Sequence, residues 1–202
     1  MKRTKAHALN TRATILDAAE DLFFRSGVTH TSLDEIADAA GVTRGAIYGH
    51  FRNKDAVFEG IFERFASPLD PFTVTLPADD LDPLVKLRRA LEQRLSRVLR
   101  DTRTRRLYSI VFAQCDSSDE MQLFCQRVRA ASQFAETQIE WALRLANSNK
   151  HFSIDFEASQ AAFFIHATLT GVLRKDLLQS RHDSRLNLSR IVGMTFQCLT
   201  QH

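Results

Sequence analysis

The sequence predicts an all-helical protein, and two features of the chain carry this prediction. All four prolines lie in one short segment, at Pro68, Pro71, Pro77 and Pro83. On both sides of this segment apolar residues recur every three or four positions, which is the spacing of amphipathic helices, and no stretch alternates as a strand does. Because proline interrupts helices, we expect the segment to separate two groups of helices, about nine in total.

Short helices are predicted before the proline segment. The apolar stripe of the first helix comprises Ile15, Leu16, Ala19, Leu22 and Phe23. Gly27 is expected to follow the end of this helix, since glycine adopts the left-handed conformation found there. Thr31 is expected to cap a second helix over about residues 32–40, with Asp34 completing a capping box, and Gly41 ends that helix.

A very short third helix and a longer fourth helix follow. Thr43 can cap the third helix, which extends to about His50, and Asn53 can cap the fourth. The apolar residues of the fourth helix are Val57, Phe58, Ile61, Phe62 and Phe65. This helix leads into the proline segment and is expected to join the two groups of helices.

Five helices are predicted after the proline segment. The apolar stripe of the first of them comprises Leu84, Leu87, Leu91, Leu95 and Val98. Ser117 and Glu120 form a capping box for a long helix that ends near Leu145, and a loop over His151–Asp155 follows. The other helices are expected over about residues 104–115, 156–178 and 188–199.

Composition excludes several classes of protein. The net charge is only +3, and the three cysteines, Cys115, Cys125 and Cys198, form no CxxC pair. These features disfavour a disulfide scaffold and favour the reducing cytoplasm. No apolar run reaches the ~18 residues of a membrane span, and Asp17 interrupts the apolar residues after the basic start, which excludes a signal peptide. We expect a cytoplasmic protein without metal or cofactor.

The most informative pattern lies between Thr31 and Phe51. Ala37 is small where two helices must cross closely, Gly41 supplies the positive φ of a tight turn, and Val42 and Ile47 lock the second helix on the first. These are the requirements of a helix-turn-helix. A helix packed in this way presents its outer face to the major groove of DNA. The outward-facing residues are Thr43, Arg44, Gly45, Tyr48 and His50.

This pattern resembles the TetR/AcrR family of bacterial repressors. The matching positions are Thr31, Ser32, Ile36, Ala37, Ala40–Tyr48, His50, Phe51 and Lys54, together with the first helix over Thr11–Gly27. A short second match, Arg105–Leu107 with Phe112, Cys115, Glu120 and Met121, is similar to the subgroup that represses multidrug efflux pumps. The resemblance implies a basic N-terminal arm over residues 1–11, a helix-turn-helix DNA-binding domain over 12–66, and an effector-binding and dimerisation domain over 67–202.

The resemblance also implies roles for individual residues at the DNA. Thr43, Arg44, Gly45 and Ala46 are expected to face base edges, and an arginine can pair bidentately with guanine. The expected phosphate contacts are Thr31, Tyr48, His50 and Lys54, and a mobile arm carries Lys2, Arg3 and Lys5. Gly49 departs from the subgroup, where a large aromatic residue is often found. A glycine there costs about 1 kcal/mol of helix stability relative to alanine and removes one contact to the DNA backbone.

The second domain is expected to bind an effector in an apolar cavity with a few polar groups. The candidate lining residues are Phe112, Cys115, Phe124, Phe134, Gln138, Trp141, Phe163, His166 and Thr170. Each also fits the alternative of a core residue, and His166 fits a hydrogen-bonded core histidine. The last two helices are expected to form a four-helix seam between two chains. The predicted dimer contacts are Phe164, Thr168, Gly171, Val172, Ile191, Met194, Thr195 and Cys198.

Together these features predict a homodimeric repressor that reads a pseudo-palindromic operator with recognition helices ~34–36 Å apart. The expected target is an efflux-pump operon, and the expected inducer is a lipophilic small molecule that shifts the helix over about residues 54–66 and weakens DNA binding. Alternatives are a regulator or activator of a catabolic or biosynthetic operon, and a sequence-tolerant architectural DNA-binding protein. An enzyme is disfavoured because the sequence has no HExxH, GxSxG or P-loop motif.

Overall fold

The structure, a computed structural model, describes residues 2–65, 68–77, 82–114, 122–148, 157–178 and 187–199. Within these ranges every regular element is an α-helix, which confirms the predicted class. The helices are α1 (Lys2–Ser26), α2 (Leu33–Ala39), α3 (Arg44–His50), α4 (Lys54–Phe65), α5 (Pro83–Arg100), α6 (Thr102–Gln114), α7 (Gln122–Ser148), α8 (Ala158–Leu177) and α9 (Leu188–Gln197). None of these helices is both long and apolar enough to cross a membrane.

The helix boundaries in the first part of the chain follow the predicted caps, with one shift. Gly27 and Gly41 have positive φ after α1 and α2, and the side chain of Asn53 accepts a hydrogen bond from Ala56 N (2.9 Å) at the start of α4. The N-cap of α2 is Ser32 rather than Thr31, and Glu35 rather than Asp34 completes its capping box.

Residues 2–11 belong to α1 and do not form a separate arm. The residues of this segment are good or neutral helix formers, and the segment contains neither glycine nor proline, so nothing in it stops the helix. The side chains of Lys2, Arg3 and Lys5 lie outside the described part of the structure. The predicted capping box of Ser117 and Glu120 and the loop over His151–Asp155 also lie outside the described residues.

Two compact units share the chain. The first comprises Met1–Ser67 and Arg106–Gln126, and the second comprises Pro68–Arg105 and Arg127–His202. This division differs from the boundary predicted at the proline segment, because the first unit also takes up part of α6 and α7.

Two side chains account for the extension of the first unit. Phe124 is buried, with its ring 4.3 Å from that of Phe58 and 5.8 Å from that of Phe62. Arg106 donates to Asp21 (2.6 Å) and lies 4.7 Å above the ring of Phe24. The hydrogen bond from Arg106 holds the pKa of Asp21 below its ordinary value. The first unit therefore includes side chains that follow Pro83, the last proline of the proline segment, by 23 and 41 positions.

The second unit is built from α5, α8 and α9 with parts of α6 and α7. Leu87, Leu91 and Leu95 of α5 are fully buried, as their spacing predicts. Asp176 of α8 is 2% exposed, and its carboxylate forms an ion pair with Arg105. Arg105 also donates to the Asp176 carbonyl (2.8 Å).

Candidate nucleic-acid interface

Helices α2 and α3 form a helix-turn-helix whose inner side is fully packed. Ile36, Ala37 and Ile47 are completely buried. Gly41 turns the chain with a φ of 65°, and Val42 N donates to the carbonyl of Ala37 (3.0 Å). These contacts fix the angle between the two helices, so the outer face of α3 is held on a rigid support.

The outer face of α3 is open to solvent. Thr43 caps the helix by accepting a hydrogen bond from Ala46 N (3.2 Å). Arg44, Gly45 and Tyr48 are exposed, and the Tyr48 side chain retains 56% of its accessible surface. Such exposure of a large aromatic residue excludes a packing role within the chain and leaves its ring and hydroxyl available to a partner.

Arg44 has a partner within the first unit. Its Nη2 lies 3.1 Å from Oδ2 of Asp34 on α2, and the Arg44 side chain remains 73% exposed. The sequence reasoning assigned Asp34 to a capping box and missed this contact. The sequence feature that could have indicated this contact is the acidic residue in the first turn of α2, on the same face as the start of α3.

An open groove of about 580 Å³ lies beside α3. It is lined by Thr29–Leu33, Glu35, Tyr48 and Arg52–Asp55. Lys54 reaches across it and donates to the carbonyls of Val28 (3.2 Å) and Thr29 (3.4 Å). Lys54 therefore ties the start of α4 to the loop after α1, in addition to supplying positive charge to the groove.

One predicted phosphate contact is corrected by the structure. Thr31 is 3% exposed and its hydroxyl donates to the carbonyl of Gly27 (2.8 Å), so it is committed to the turn after α1. Ser32, the exposed N-cap of α2, occupies the surface position instead. His50 is half-buried, with its ring 6.3 Å from that of Phe51.

The residues predicted to line an effector cavity differ widely in exposure. Phe134 and Phe163 are 52% and 62% exposed, and Trp141 is 36% exposed. Phe124 lies in the core of the first unit, which favours the core alternative and corrects its assignment to a cavity in the second domain. Cys115 lies outside the described residues. Phe112, Gln138 and Thr170 are half-buried.

His166 sits in a polar cluster buried within the second unit. Its Nε2 is 2.9 Å from Oδ2 of Asp70, and its Nδ1 is 3.2 Å from Oε1 of Glu136. Ser132 also donates to Asp70 Oδ2 (2.8 Å), and Phe72 N donates to Oδ1 (2.8 Å). A ring that faces a carboxylate at each nitrogen is satisfied as imidazolium, with both nitrogens donating. This geometry favours the hydrogen-bonded core alternative for His166.

The pKa of His166 reflects opposing causes. Burial lowers it, whereas the hydrogen bond and charge of Asp70 and of Glu136 raise it, and the pKa lies above the ordinary value of 6.5. The sequence reasoning missed both carboxylates. Asp70 lies in the proline segment, where no periodicity assigns a side chain to a face.

Helices α8 and α9 expose half of the residues predicted for a dimer contact. Phe164 is 42% exposed and Met194 is 54% exposed, and Gly171 and Cys198 are also exposed. Thr168, Val172 and Ile191 are half-buried. Thr195 is a correction, because it is 3% exposed and its hydroxyl donates to the carbonyl of Ile191 (3.0 Å). A cavity of about 260 Å³ opens on this face, between Gln160, Ala161, Phe164, Cys198 and Leu199.

Comparison with known proteins gives consistent matches along the chain. Residues 15–61 match the profile described as bacterial regulatory proteins of the tetR family, and residues 82–189 match the C-terminal region of MAATS-type transcriptional repressors. The transcriptional regulator TtgR of Pseudomonas putida is 35% identical over 179 residues, which cover 88% of this chain and 85% of TtgR.

Two solved structures share the whole fold. NalD, the secondary repressor of the MexAB-OprM multidrug efflux pump in Pseudomonas aeruginosa, superposes with a TM-score of 0.79 at 28% identity over 97% of this chain and 98% of NalD. The complex of SmeT with triclosan gives a TM-score of 0.73 at 30% identity over 95% of this chain and 92% of SmeT. SmeT is the repressor of the Stenotrophomonas maltophilia multidrug efflux pump SmeDEF.

Proposed function

We propose that this chain, which belongs to the TetR family of bacterial regulatory proteins, represses an operon for a multidrug efflux pump and is released from its operator by a lipophilic small molecule. The observation that carries the proposal is the exposed outer face of α3 over a fully buried inner face. The efflux target is supported by what NalD and SmeT regulate, because both resemble this chain over nearly its whole length.

At the operator, Arg44 reads a guanine by donating to its O6 and N7 atoms. Gly45 and Ala46 allow α3 to approach the bases closely, and Thr43 lies at the end of α3 that enters the major groove. Contacts from Tyr48, His50, Lys54 and Ser32 to phosphates set the register without reading sequence. Lys2, Arg3 and Lys5 in the first turns of α1 add charge that strengthens binding through release of counterions.

Regulators of this family act as dimers, and we assign the dimer contact of this chain to the exposed face of α8 and α9. Apolar side chains such as Phe164 and Met194, which are exposed to solvent in the single chain, become buried when a second copy packs on them. The remaining members of the predicted set, apart from the buried Thr195, are Thr168, Gly171, Val172, Ile191 and Cys198. We expect the dimer to present its two recognition helices to successive turns of a pseudo-palindrome.

The inducer is a lipophilic compound, bound by the second domain near Phe134, Gln138, Trp141, Phe163 and Thr170. Triclosan bound to SmeT is an example of such a compound in a similar protein. Effector and operator affinities are reciprocally coupled, so a compound that weakens DNA binding must itself bind less tightly to the DNA complex, typically by 1–3 kcal/mol (about 5–150-fold).

Transcript measurement in the source organism tests the target. Deletion of the gene is expected to raise the transcripts of an efflux-pump operon. A plasmid copy of the wild-type gene restores repression, whereas a copy with Arg44→Ala does not. A deletion strain that alters only catabolic transcripts would contradict the efflux assignment and leave DNA binding intact.

The single tryptophan reports on the effector. Triclosan is the first probe, followed by other lipophilic compounds, and a ligand is expected to change the emission of Trp141 and to release labelled operator at the same concentration. The matched control is Phe24→Ala, which removes a half-exposed aromatic residue of the first unit. A compound that releases the operator from a Trp141→Phe, Phe134→Ala, Phe163→Ala variant with unchanged affinity would contradict the assigned binding residues.

A further inference from the structure

Asp34 and Arg44 join the two helices of the helix-turn-helix through their side chains. Asp34 lies in the first turn of α2, and Arg44 is the first residue of α3. Arg44 makes this contact through one end of its guanidinium: Nη2 lies 3.1 Å from Asp34 Oδ2, and 73% of the Arg44 side chain stays exposed. The guanidinium therefore keeps N–H groups available for a second partner.

The carboxylate of Asp34 depends on this contact. Its Oδ1 is shielded from solvent and accepts no hydrogen bond from the described residues. The Asp34 side chain as a whole is 36% exposed, so its ion pair with Arg44 is a partly exposed one. Separating the two leaves the Asp34 carboxylate to be solvated by water alone.

We infer that Asp34 is a positioning residue that determines specificity by holding Arg44 in the orientation that reads guanine. This inference rests on the proposed function, because it assigns a cause to the base reading by α3. A free arginine loses rotamer freedom when it forms a bidentate pair. Asp34 imposes part of that restriction before DNA arrives, so the operator complex is favoured.

The same carboxylate disfavours wrong registers on DNA. When Arg44 faces a guanine, the pair with Asp34 persists, because different N–H groups serve the two partners. When α3 lies on a sequence without that guanine, the N–H groups that Asp34 leaves available lack their base partner, and an Arg44 side chain that turns away to a phosphate leaves the negative charge of Asp34 facing the DNA. Asp34 therefore acts on the ratio of operator affinity to non-specific affinity rather than on affinity alone.

A matched pair of variants separates positioning from simple charge. Asp34→Asn removes the charge that faces Arg44. Asp38→Asn removes the same charge from an exposed position on the same short helix. Both remove one negative charge from α2, and only Asp34 faces Arg44, so the difference between the two variants reports on the contact with Arg44.

The experiment uses the full-length protein and a duplex recovered by selection from a random-sequence pool with the wild type. We expect Asp34→Asn to lose about threefold or more in operator affinity, in the range of a partly exposed ion pair, while affinity for a scrambled duplex stays equal or rises. Asp38→Asn is expected to keep the ratio of the two affinities. In an Arg44→Ala background, Asp34→Asn is expected to leave the ratio of the two affinities unchanged. Asp34→Glu in the wild-type background is expected to keep part of the preference for the operator that Asp34→Asn loses.

Two outcomes would overturn the inference in distinguishable ways. Asp34→Asn and Asp38→Asn could change the affinities for the operator and for the scrambled duplex equally and have the same melting temperature. In that case Asp34 would be a surface charge without a positioning role. A wild-type selection that recovers no preferred sequence would overturn the proposed function, and the inference with it.

Discussion

His166 and Asp70 lie 96 positions apart in the sequence, yet Nε2 of His166 is 2.9 Å from Oδ2 of Asp70. Glu136 meets the other ring nitrogen. His166 thus joins three segments of the second unit, which are the segment before α5, helix α7 and helix α8. A buried cation between two carboxylates stabilises this arrangement only while it carries its proton.

The stability of the protein is therefore expected to fall as pH rises. The pKa of His166 in the folded state is raised above 6.5, its ordinary value. The contribution of the cluster is complete below pH 6.5, and it is lost as pH rises through the raised folded-state pKa. Urea denaturation midpoints, measured at intervals from pH 6 to pH 9, check this direction.

His166→Gln is the variant that tests the cause. It is expected to unfold at lower urea concentration at pH 6 and to lose the pH dependence assigned to the cluster. His30→Gln, at an exposed position in the first unit, is the control and is expected to keep the wild-type profile. A His166→Gln profile that remains parallel to the wild type would contradict the account.

Substitution by alanine at two glycines, Gly49 and Gly60, is expected to change the stability of the protein in opposite directions. A Cβ at Gly49 meets nothing within 4 Å, so Gly49→Ala is expected to raise the unfolding free energy by about 1 kcal/mol through helix propensity. A Cβ at Gly60 lies 3.0 Å from Leu16 Cδ2 and 3.2 Å from Phe51 Cε1. Because Leu16 and Phe51 are buried, Gly60→Ala is expected to lower the unfolding free energy by about 1 kcal/mol. Thermal unfolding of both variants checks the signs, and equal shifts would contradict the packing described for α4.

Breaking the ion pair of Arg105 and Asp176 is expected to cause a large loss of stability. Asp176 is almost fully buried, and removal of its charge in Asp176→Asn leaves Arg105 partly buried beside a neutral group. The expected loss is about 3 kcal/mol. Glu140→Gln breaks the i,i+4 pair of Glu140 and Arg144, whose side chains are 26% and 68% exposed, and is expected to cost below about 0.5 kcal/mol. Denaturation measurements that give similar losses for both variants would disprove the structural role of the buried pair.

The assigned seam of α8 and α9 predicts which surface charge breaks the dimer. Met194→Glu places a charge at the centre of the seam and is expected to give monomers and to weaken operator binding. Phe134→Glu introduces the same charge at a similarly exposed apolar position on α7 and is expected to leave the dimer intact. Sedimentation velocity measures the outcome, and a dimeric Met194→Glu protein with a monomeric Phe134→Glu protein would move the contact to α7.

Local patterns in the sequence predicted the helices and the exposed outer face of α3, because caps, turns and periodicity act over a few residues. Gly27, Gly41, Thr43 and Asn53 all serve as predicted. The N-cap of α2 was placed one residue early, because Thr31 and Ser32 are both good caps and the choice depends on the bond from Thr31 to Gly27.

Contacts between distant segments were not predictable in this way. Phe124 has the apolar character of both a cavity residue and a core residue, and only its position against Phe58 and Phe62 decides between them. Asp70 has no periodic neighbours that assign it to a buried face, so its pairing with His166 becomes visible only in three dimensions. Sequence spacing likewise placed Thr195 on the exposed stripe of α9, whereas packing of that helix buries it.

The most direct test of the account is a fluorescence-anisotropy titration of the wild type and Arg44→Ala on the selected duplex and on single-base variants of it, at fixed salt. The wild type is expected to bind the selected duplex with two chains per site, and a guanine in each half-site is expected to contribute about 1–3 kcal/mol of its preference. In Arg44→Ala the penalty for replacing that guanine is expected to disappear. A wild type that binds selected and scrambled duplexes equally, or an Arg44→Ala protein that keeps the full preference, would contradict base reading by α3.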